Sequence, residues 1–334
     1  MLENARYPNP QPVVLFTTPD TVFIPSQRRE KRLMRTSMNR TTPLEKILVA
    51  LAEFDYLTAA QVTRLLYAPS SLTHVREQLK SLVDDSLVLA LSSRLATHPR
   101  VFTLTGKGRT YAALLGMQST KRIRPSEEHE KAHNLYFIQH TLAVIDVLLG
   151  ARLLSQTAPG ITLNRLFTER ALKRKIYVAI PEPTKRGREK TQNICLEPDA
   201  SVDFTIHEAW HDQTWQDFFH IEVYRHLPME TRFKQKVQGY VVMALTGQHE
   251  ALFHISALSI AVFAATDHLA QVLKRWTEEA LQQLGQPAEG HRFFFGNIDT
   301  AASPAEMYLA PVWQKAFGEA PTPLLMLQEE GNGE

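Results

Sequence analysis

The sequence predicts a mixed α/β (α+β) protein built from a small helical domain and a larger domain with a central mixed sheet. Three short segments with helical apolar spacing lie between Thr42 and Leu82. Two strand-like runs follow them, at 87–91 and 100–104. From about residue 127 onward, helical and strand-like patterns alternate, which is typical of a sheet covered by helices.

Length and composition agree with a folded protein of two domains. The 334 residues are many for one hydrophobic core, and the contents of 44% hydrophobic and 22% charged residues favour globular folding. The net charge of +2 does not by itself indicate a nucleic-acid partner. Basic residues cluster at 28–46 and 170–190, where a phosphate-binding surface and solvated loops are both consistent with the pattern.

The compartment is predicted from what the chain lacks. The single cysteine, Cys195, allows neither an internal disulfide nor a thiolate metal cluster, which fits a reducing cytoplasm. The first twenty residues lack the pattern of a secretory signal, and no run of eighteen uninterrupted apolar residues occurs. We therefore expect a cytoplasmic protein without a membrane span.

Changes in composition divide the chain into five parts. Five prolines and a basic run predict an extended basic arm at 1–41. A helical domain is predicted at 42–118, a charged connector at 119–132 and the α/β domain at 133–322. The acidic last residues, 323–334, are predicted to form a tail.

Local signals place the helices of the first domain. Thr42 to Glu45 forms a capping box with proline at the first helical position, and Thr58 to Gln61 forms a second box. Pro69-Ser70-Ser71 interrupts the chain, and a third helix follows with Leu72, Val75, Leu79 and Leu82 on one face.

This order of three helices and a hairpin is that of a winged helix-turn-helix domain. The run from Phe102 to Gly108, Phe-x-Leu-Thr-x-x-Gly, resembles the last wing strand and closing helix of bacterial winged-helix DNA-binding domains. We expect such a domain to contact base edges and phosphates from its third helix and its wing. Protein contact or dimerisation is the alternative use. The predicted DNA-binding residues are Thr73, His74, Arg76, Lys80, Arg94 and Arg100.

The second domain begins with a helix predicted from about 127 to 154, with apolar residues along one face. Strands are predicted at 202–206, 217–223, 258–264 and 293–295, and helices at 229–245 and 266–284.

Two acids and a lysine in this domain indicate a metal-dependent phosphodiesterase site. Asp199 follows a proline and precedes one strand, and Glu222 lies near the end of the next strand. Two such carboxylates are suited to one Mg²⁺ or Mn²⁺ ion. Lys236 and Tyr240, four residues apart on the following helix, share one face and can point at the same site. A lysine in that place would steady a phosphate or the attacking water.

This half of the chain resembles the PD-(D/E)xK nuclease superfamily, and in more detail the replication-relaxation family of bacterial plasmids and integrative elements. That family joins an N-terminal winged helix to a nuclease-like domain. The motifs that carry the resemblance are Pro198-Asp199-Ala200, Phe219-His220-Ile221-Glu222, Lys236-Val237-Gln238-Gly239-Tyr240, Ile260-Ala261-Val262-Phe263 and Pro311-Val312-Trp313. The resemblance implies double-stranded DNA as partner, together with replication or transfer proteins of a mobile element.

Tyr224 departs from the resembling pattern. The superfamily usually has lysine two residues after the strand glutamate, and the family often has an acid there. A tyrosine near its ordinary pKa is neutral and a poor ligand for Mg²⁺. Three functions remain open at this point: a DNA-binding accessory factor with a degenerate nuclease-like domain, a metal-dependent endonuclease or nickase, and a winged-helix transcriptional regulator. The oligomeric state, dimer included, is not determined by the sequence.

A rival signal is the pattern His-Glu-x-x-His, which occurs at 129–133 and at 207–211. On a helix it places two imidazoles on one face for zinc. The first match lies in a highly charged segment, and the second lies where a hairpin turn is expected. Neither has an evident third ligand. A weaker hypothesis is incidental metal binding by His207, His211, His220 and His226.

Overall fold

The structure, a computed structural model, describes residues 42–91, 99–117, 135–172, 176–182, 190–208, 213–297 and 302–326. The predicted basic arm, the connector and Arg94 lie outside the described residues.

The first domain has the winged helix-turn-helix order that the sequence predicts. Its three strands form an antiparallel sheet in the order β1-β3-β2. A one-turn 3₁₀ helix at Pro69–Ser71 separates the second and third helices. The elements are α1 Pro43–Phe54, β1 Leu57–Thr58, α2 Ala59–Leu66, α3 Leu72–Asp84, β2 Val88–Leu91, β3 Val101–Leu104 and α4 Gly106–Leu114.

Both predicted capping boxes are confirmed. The hydroxyl of Thr42 accepts a bond from the backbone N–H of Glu45, whose carboxylate accepts a bond from the N–H of Thr42. Thr58 and Gln61 make the same reciprocal pair at the start of α2. Each box satisfies two N–H groups that the first helical turn leaves without partners.

The glycine of the Phe-x-Leu-Thr-x-x-Gly run has a steric role. Thr105 caps α4 by accepting a bond from the N–H of Gly108 at 3.0 Å. A Cβ at Gly108 would lie 2.0 Å from the carbonyl oxygen of Leu87. Only glycine therefore lets α4 pack this closely against the start of the wing.

The second domain is built on a six-stranded mixed sheet in the order β11-β10-β9-β8-β7-β4. The strands β4, β7 and β8 are antiparallel, whereas β8, β9 and β10 run parallel. β5 and β6 form a separate hairpin. The elements are α5 Leu135–Thr157, β4 Ile161–Thr168, α6 Glu169–Leu172, β5 Ile176–Glu182, β6 Lys190–Leu196, β7 Ala200–Glu208, β8 Gln213–Tyr224, α7 Glu230–Leu245, α8 Gln248–Phe253, β9 Ser259–Ala264, α9 Asp267–Gln283, β10 Phe293–Asn297, α10 Pro304–Leu309 and β11 Gln314–Lys315.

Both faces of the sheet are covered by helices, so the side chains of β8 alternate between two cores. Phe219, Ile221 and Val223 belong to the core that includes α5 and the winged helix. Phe218 belongs to the opposite core, which includes α7 and α9. Because side chains alternate along a strand, Glu222 lies on the α7 side.

Helix α5 is apolar enough over Tyr136–Thr157 to meet the length and composition of a membrane span. Its residues Val147, Leu148 and Leu154 are buried in the core of the described structure. A core helix of a soluble protein passes the same test, and α5 packs in that way.

The winged helix docks onto α5 through polar contacts around a shared apolar core. The side-chain amide of Gln61 donates to Asp146 at 3.0 Å, and Arg64 lies 3.8 Å from the same carboxylate. At the end of α1, Glu53 pairs with Arg152. These contacts involve α1 and α2, and they leave the outer face of α3 exposed.

Several elements of this domain were not predicted from the sequence: β4, α6, the β5–β6 hairpin, α8, α10 and β11. The first predicted helix of this domain continues to Thr157. Packing also continues beyond residue 322, since Leu324 and Leu325 are buried and the N–H of Leu325 donates to the carbonyl of Tyr308 at 2.9 Å.

The two glycines of the first turn of α4 give a matched test of its packing. Gly108→Ala should destabilise the protein by about 2 kcal/mol or more, because the new methyl group meets a backbone oxygen. Gly106→Ala should be neutral or stabilising by about 0.5–1 kcal/mol, because a Cβ there meets nothing within 4 Å. Thermal melts of both variants measure the difference, and equal melting temperatures would contradict the packing described.

Candidate functional site

The two predicted acids face each other across neighbouring strands. Ala200 pairs with Ile221 in the antiparallel register, which places Asp199 opposite Glu222. The N–H of Asp199 donates to the carbonyl of Ile221 at 3.0 Å. Its carboxylate accepts a bond from the N–H of Val223 at 2.7 Å. The β7–β8 pairing therefore positions both acids at one end of the ladder.

Both oxygens of the Glu222 carboxylate are bound by side chains of α7. The ammonium of Lys236 lies 2.5 Å from Oε2, and the hydroxyl of Tyr240 donates to Oε1. Lys236 also donates to the carbonyl oxygen of Glu197 at 2.8 Å. Glu222 is 2% exposed, so these bonds replace water almost entirely. The structure thus brings Asp199, Glu222, Lys236 and Tyr240 together.

A glycine sets how closely α7 approaches this cluster. A Cβ at Gly239 would lie 2.7 Å from a methyl carbon of Leu196, which is fully buried. The helix therefore packs tightly on β6, beside the residues that reach Glu222.

One member of the cluster was not predicted from the sequence. His140 of α5 places its Nε2 3.2 Å from Oδ1 of Asp199. The only signal was the polar pair Gln139-His140, which interrupts the apolar pattern of α5. Nothing in the local sequence showed that this pair would meet a residue some sixty positions later.

Four ionisable side chains of the cluster, Glu222, Lys236, Asp199 and His140, shift one another's pKa values against the effect of burial. Burial raises the pKa of Glu222 to about 7, although the ammonium of Lys236 opposes the shift. Burial by itself would lower the pKa of Lys236, but Glu222 and Asp199 outweigh it and raise that pKa. Burial also opposes the charged forms of Asp199 and His140. Their mutual attraction prevails, so that the pKa of Asp199 is lowered and that of His140 is raised.

Tyr224 is held neutral. Burial raises its pKa well above the ordinary value, and the charges of Glu222 and Asp199 act in the same direction. Its ring packs edge-to-face against Phe233, with 5.5 Å between centroids. At this position the side chain contributes to packing and supplies no anionic ligand.

Below the cluster lies a second buried polar pair. Ser201 Oγ and His220 Nδ1 are 2.6 Å apart, and both residues are completely buried. The ring of His220 lies 5.6 Å from that of Tyr240, the residue that binds Glu222. Burial lowers the pKa of His220 well below its usual value, so this imidazole is neutral.

The described residues do not form a histidine metal site. His207 and Glu208 lie in strand β7, so the zinc-helix interpretation of the second His-Glu-x-x-His match is wrong. His207 contacts Thr214 and His220 contacts Ser201, at different positions along the ladder, and His226 is exposed. The first match and His211 lie outside the described residues. Within the described ranges, no group of three His, Cys, Asp or Glu residues is arranged to hold a metal.

The predicted DNA-binding side chains of α3 point outward. Thr73, His74, Arg76 and Lys80 are all exposed. His74 is held in place by Gln78, whose amide nitrogen lies 2.7 Å from its Nε2. Arg100, just before β3, is exposed as well, and Arg94 lies outside the described residues.

Comparison with protein families decides the affiliation of the chain. The replication-relaxation family model matches residues 48–254, which is more than half of the sequence. The chain belongs to the replication-relaxation family. Membership of this family supports a DNA-binding, replication-related role. No curated protein matches the chain.

Two solved structures are similar to the chain. The adhesin competence repressor AdcR from Streptococcus pyogenes is 16% identical, with coverage of 39% of this chain and 92% of that chain and a TM-score of 0.21. NadR, solved in complex with 4-hydroxyphenylacetate, is 21% identical, with coverage of 42% and 99% and a TM-score of 0.23. Because these scores are low, the fold assignment rests on the geometry described above.

The site does not suit the Mg²⁺ or Mn²⁺ ion that the family resemblance implies. All four carboxylate oxygens of Asp199 and Glu222 already contact a donor of the protein. The ammonium of Lys236 also contacts the carbonyl of Glu197, which would be a further oxygen ligand. Tyr224 is neutral where the family often has an acid. Mg²⁺ is usually held by one or two carboxylates and several waters, and here a cation would have to compete with the protein donors that already contact both carboxylates.

The His140–Asp199 pair should give stability a defined pH dependence. The pKa of His140 is raised above 6.5. Its contribution to the free energy of unfolding is therefore complete below pH 6.5 and is lost as pH rises through the raised pKa. The pKa of Asp199 is lowered below 3.8, so its contribution is lost only as pH falls through the lowered pKa. His140→Gln should therefore lower the free energy of unfolding most between about pH 4 and 6.5, by on the order of 1 kcal/mol.

Thermal melts of wild type and His140→Gln across pH 4–9 measure this dependence. His226→Gln is the matched control, because His226 is exposed and no acid contacts it in the described structure. A difference that is independent of pH would show that His140 acts through packing alone.

Proposed function

We propose that this protein is a DNA-binding accessory factor of plasmid or mobile-element replication or transfer, and that its nuclease-like domain is catalytically degenerate. The observation that carries the proposal is the position of Lys236. Its ammonium lies 2.5 Å from the Glu222 carboxylate and 2.8 Å from the Glu197 carbonyl. A residue of the chain itself therefore balances the negative charge that a catalytic metal would otherwise meet.

The nuclease-like ancestry of the domain is supported by the order of the site residues. An acid before a strand, an acid in the next strand and a lysine on the following helix converge, as the resemblance implies. The residue two positions after Glu222 is a neutral tyrosine. We interpret the cluster as an arrangement that was kept for folding while the ligand set for a metal disappeared.

Double-stranded DNA is the proposed partner of the winged helix. Its third helix presents Arg76 and Lys80 to solvent, with Thr73 and His74 on the same exposed side. Docking through α1 and α2 leaves this side uncovered. Replication or transfer proteins are the further partners that such an accessory role implies, and the bacterial cytoplasm is the compartment in which they would meet.

A nuclease assay tests the degenerate site. We expect no cleavage of supercoiled or single-stranded DNA by the wild type with Mg²⁺ or Mn²⁺, and the same result for Glu222→Gln. Because the carboxylates are internally bonded, neither metal should raise the melting temperature of the wild type.

The alternative functions give different results in this assay. Cleavage by wild type but not by Glu222→Gln would identify a metal-dependent endonuclease or nickase that uses Asp199, Glu222 and Lys236. Metal-dependent stabilisation that is absent in Glu222→Gln would show that the cluster opens to a cation. Duplex binding together with control of a nearby promoter, without any effect on replication, would favour the transcriptional regulator.

The winged helix should bind duplex DNA largely through charge. Arg76→Gln with Lys80→Gln should weaken binding and reduce the slope of log affinity against log salt by about 0.9 for each phosphate that the variant no longer neutralises. Arg275→Gln is the control, because Arg275 is an exposed arginine on α9. Salt titrations by fluorescence anisotropy measure the slopes. Equal slopes for the double variant and the wild type would show that this face of α3 does not contact DNA phosphates.

A further inference from the structure

We propose that a second surface, at the edge of the α/β domain beside Asp199, binds an unpaired DNA strand. The surface is formed by Tyr136 and Gln139 of α5, by the segment 225–229 that follows β8, and by Arg232 at the start of α7. We call it the α5–β8 surface. The inference rests on the proposed DNA-binding function and adds to it a ligand that the winged helix does not bind.

The first observation is an exposed aromatic and apolar patch. Tyr136 is 70% exposed, and its ring meets that of His226 edge-to-face at 6.1 Å. Leu227 and Met229 are 59% and 65% exposed. Apolar side chains grouped in this way on a surface mark a binding site. Aromatic rings on the surface are platforms for unpaired bases, since every base has a π-face.

The second observation is positive charge that has no acidic partner among the described residues. Arg225 donates to the neutral side-chain oxygen of Gln139 at 2.8 Å. Among the described residues, no carboxylate forms a salt bridge with Arg225 or with the exposed Arg232. The acids nearest along the chain have other partners: Glu222, three residues before Arg225, is bound by Lys236, and Glu230, two residues before Arg232, is paired with Lys234 at 2.6 Å. Within the described residues, Arg225 has guanidinium N–H groups beyond its bond to Gln139, and Arg232 is exposed, so both side chains can meet phosphates.

The sheet topology supports the same ligand. β8 and β9 are parallel, so their carboxyl ends share an edge, and α7 starts at that edge. Ligands of open α/β sheets bind beyond the carboxyl ends of the strands. No side chain caps α7 at its N-cap residue Met229, so its first N–H groups can donate to an anion.

Unpaired DNA fits this surface better than duplex DNA or a protein. Paired bases hide their faces inside the helix, so an exposed tyrosine has nothing to stack on in a duplex. The duplex also has its own candidate face on α3. A protein partner would be expected to provide acids for the two arginines, and this outcome is included in the test.

The test measures binding of the full chain to a fluorescein-labelled oligothymidine of about fifteen nucleotides, a length within reach of known single-strand sites. Tyr136→Ala should weaken binding about tenfold, whereas Tyr136→Phe should keep the stacking and the affinity. Arg225→Gln with Arg232→Gln should lower the salt slope by about 0.7 for each phosphate that the two arginines neutralise. Tyr177→Ala and Arg275→Gln are matched controls, because both residues are exposed elsewhere on the domain.

The same variants are measured on duplex DNA beside Arg76→Gln with Lys80→Gln. Weaker single-strand binding with unchanged duplex affinity supports the proposal. Unchanged single-strand affinity of these variants overturns the proposal and favours a protein as the partner of this surface. An equal decrease on both DNAs also overturns it, since the surface would then belong to a duplex platform. If Arg76→Gln with Lys80→Gln keeps the duplex affinity of the wild type, the proposed duplex-binding face of α3 is contradicted while the single-strand result stands. Melting temperatures confirm that each variant is folded.

Discussion

The buried pair of Lys236 and Glu222 is the interaction on which the α/β domain most depends. A carboxylate as buried as Glu222 would cost several kcal/mol if it stood alone. Lys236 and Tyr240 bind the carboxylate of Glu222, and the carbonyl of Glu197 accepts a second bond from the ammonium of Lys236. Since these partners come from α7 and from the chain before β7, the pair also connects the helix to the antiparallel part of the sheet.

The Lys236–Glu222 pair constrains where helices α5 and α7 lie. Asp199 lies opposite Glu222, and two carboxylates at directly opposed positions repel each other. Lys236 on one side and His140 on the other offset that repulsion. Helix α5 must therefore come close to the end of the β7–β8 ladder. The tight approach of α7 at Gly239 follows from the same requirement.

Much of this arrangement could be predicted from sequence because its signals are local. The capping boxes at Thr42 and Thr58 are complete within four residues. Asp199, Glu222 and Lys236 lie on three successive elements, so their convergence follows from chain order. The three helices and the two wing strands of the winged domain, and four of the six strands of the main sheet, β7 to β10, were predicted correctly for the same reason.

The parts that were missed lack a local signal. In β4 the register shifts between Leu163 and Arg165, so the alternation expected of a strand is broken. The β5–β6 hairpin begins close to a basic run that resembles a loop. His140 reaches Asp199 only through tertiary packing. The zinc-helix pattern at His207 is a coincidence of spacing, because the residues form a strand that pairs with β8.

Helix α5 has a mechanical consequence. Its 23 residues extend for about 35 Å at 1.5 Å per residue. Near its start it bears His140, and further along it receives Gln61 and Glu53 of the winged helix through Asp146 and Arg152. Because a long helix resists bending, a force on the winged helix would be transmitted along α5 to the end of the β7–β8 ladder.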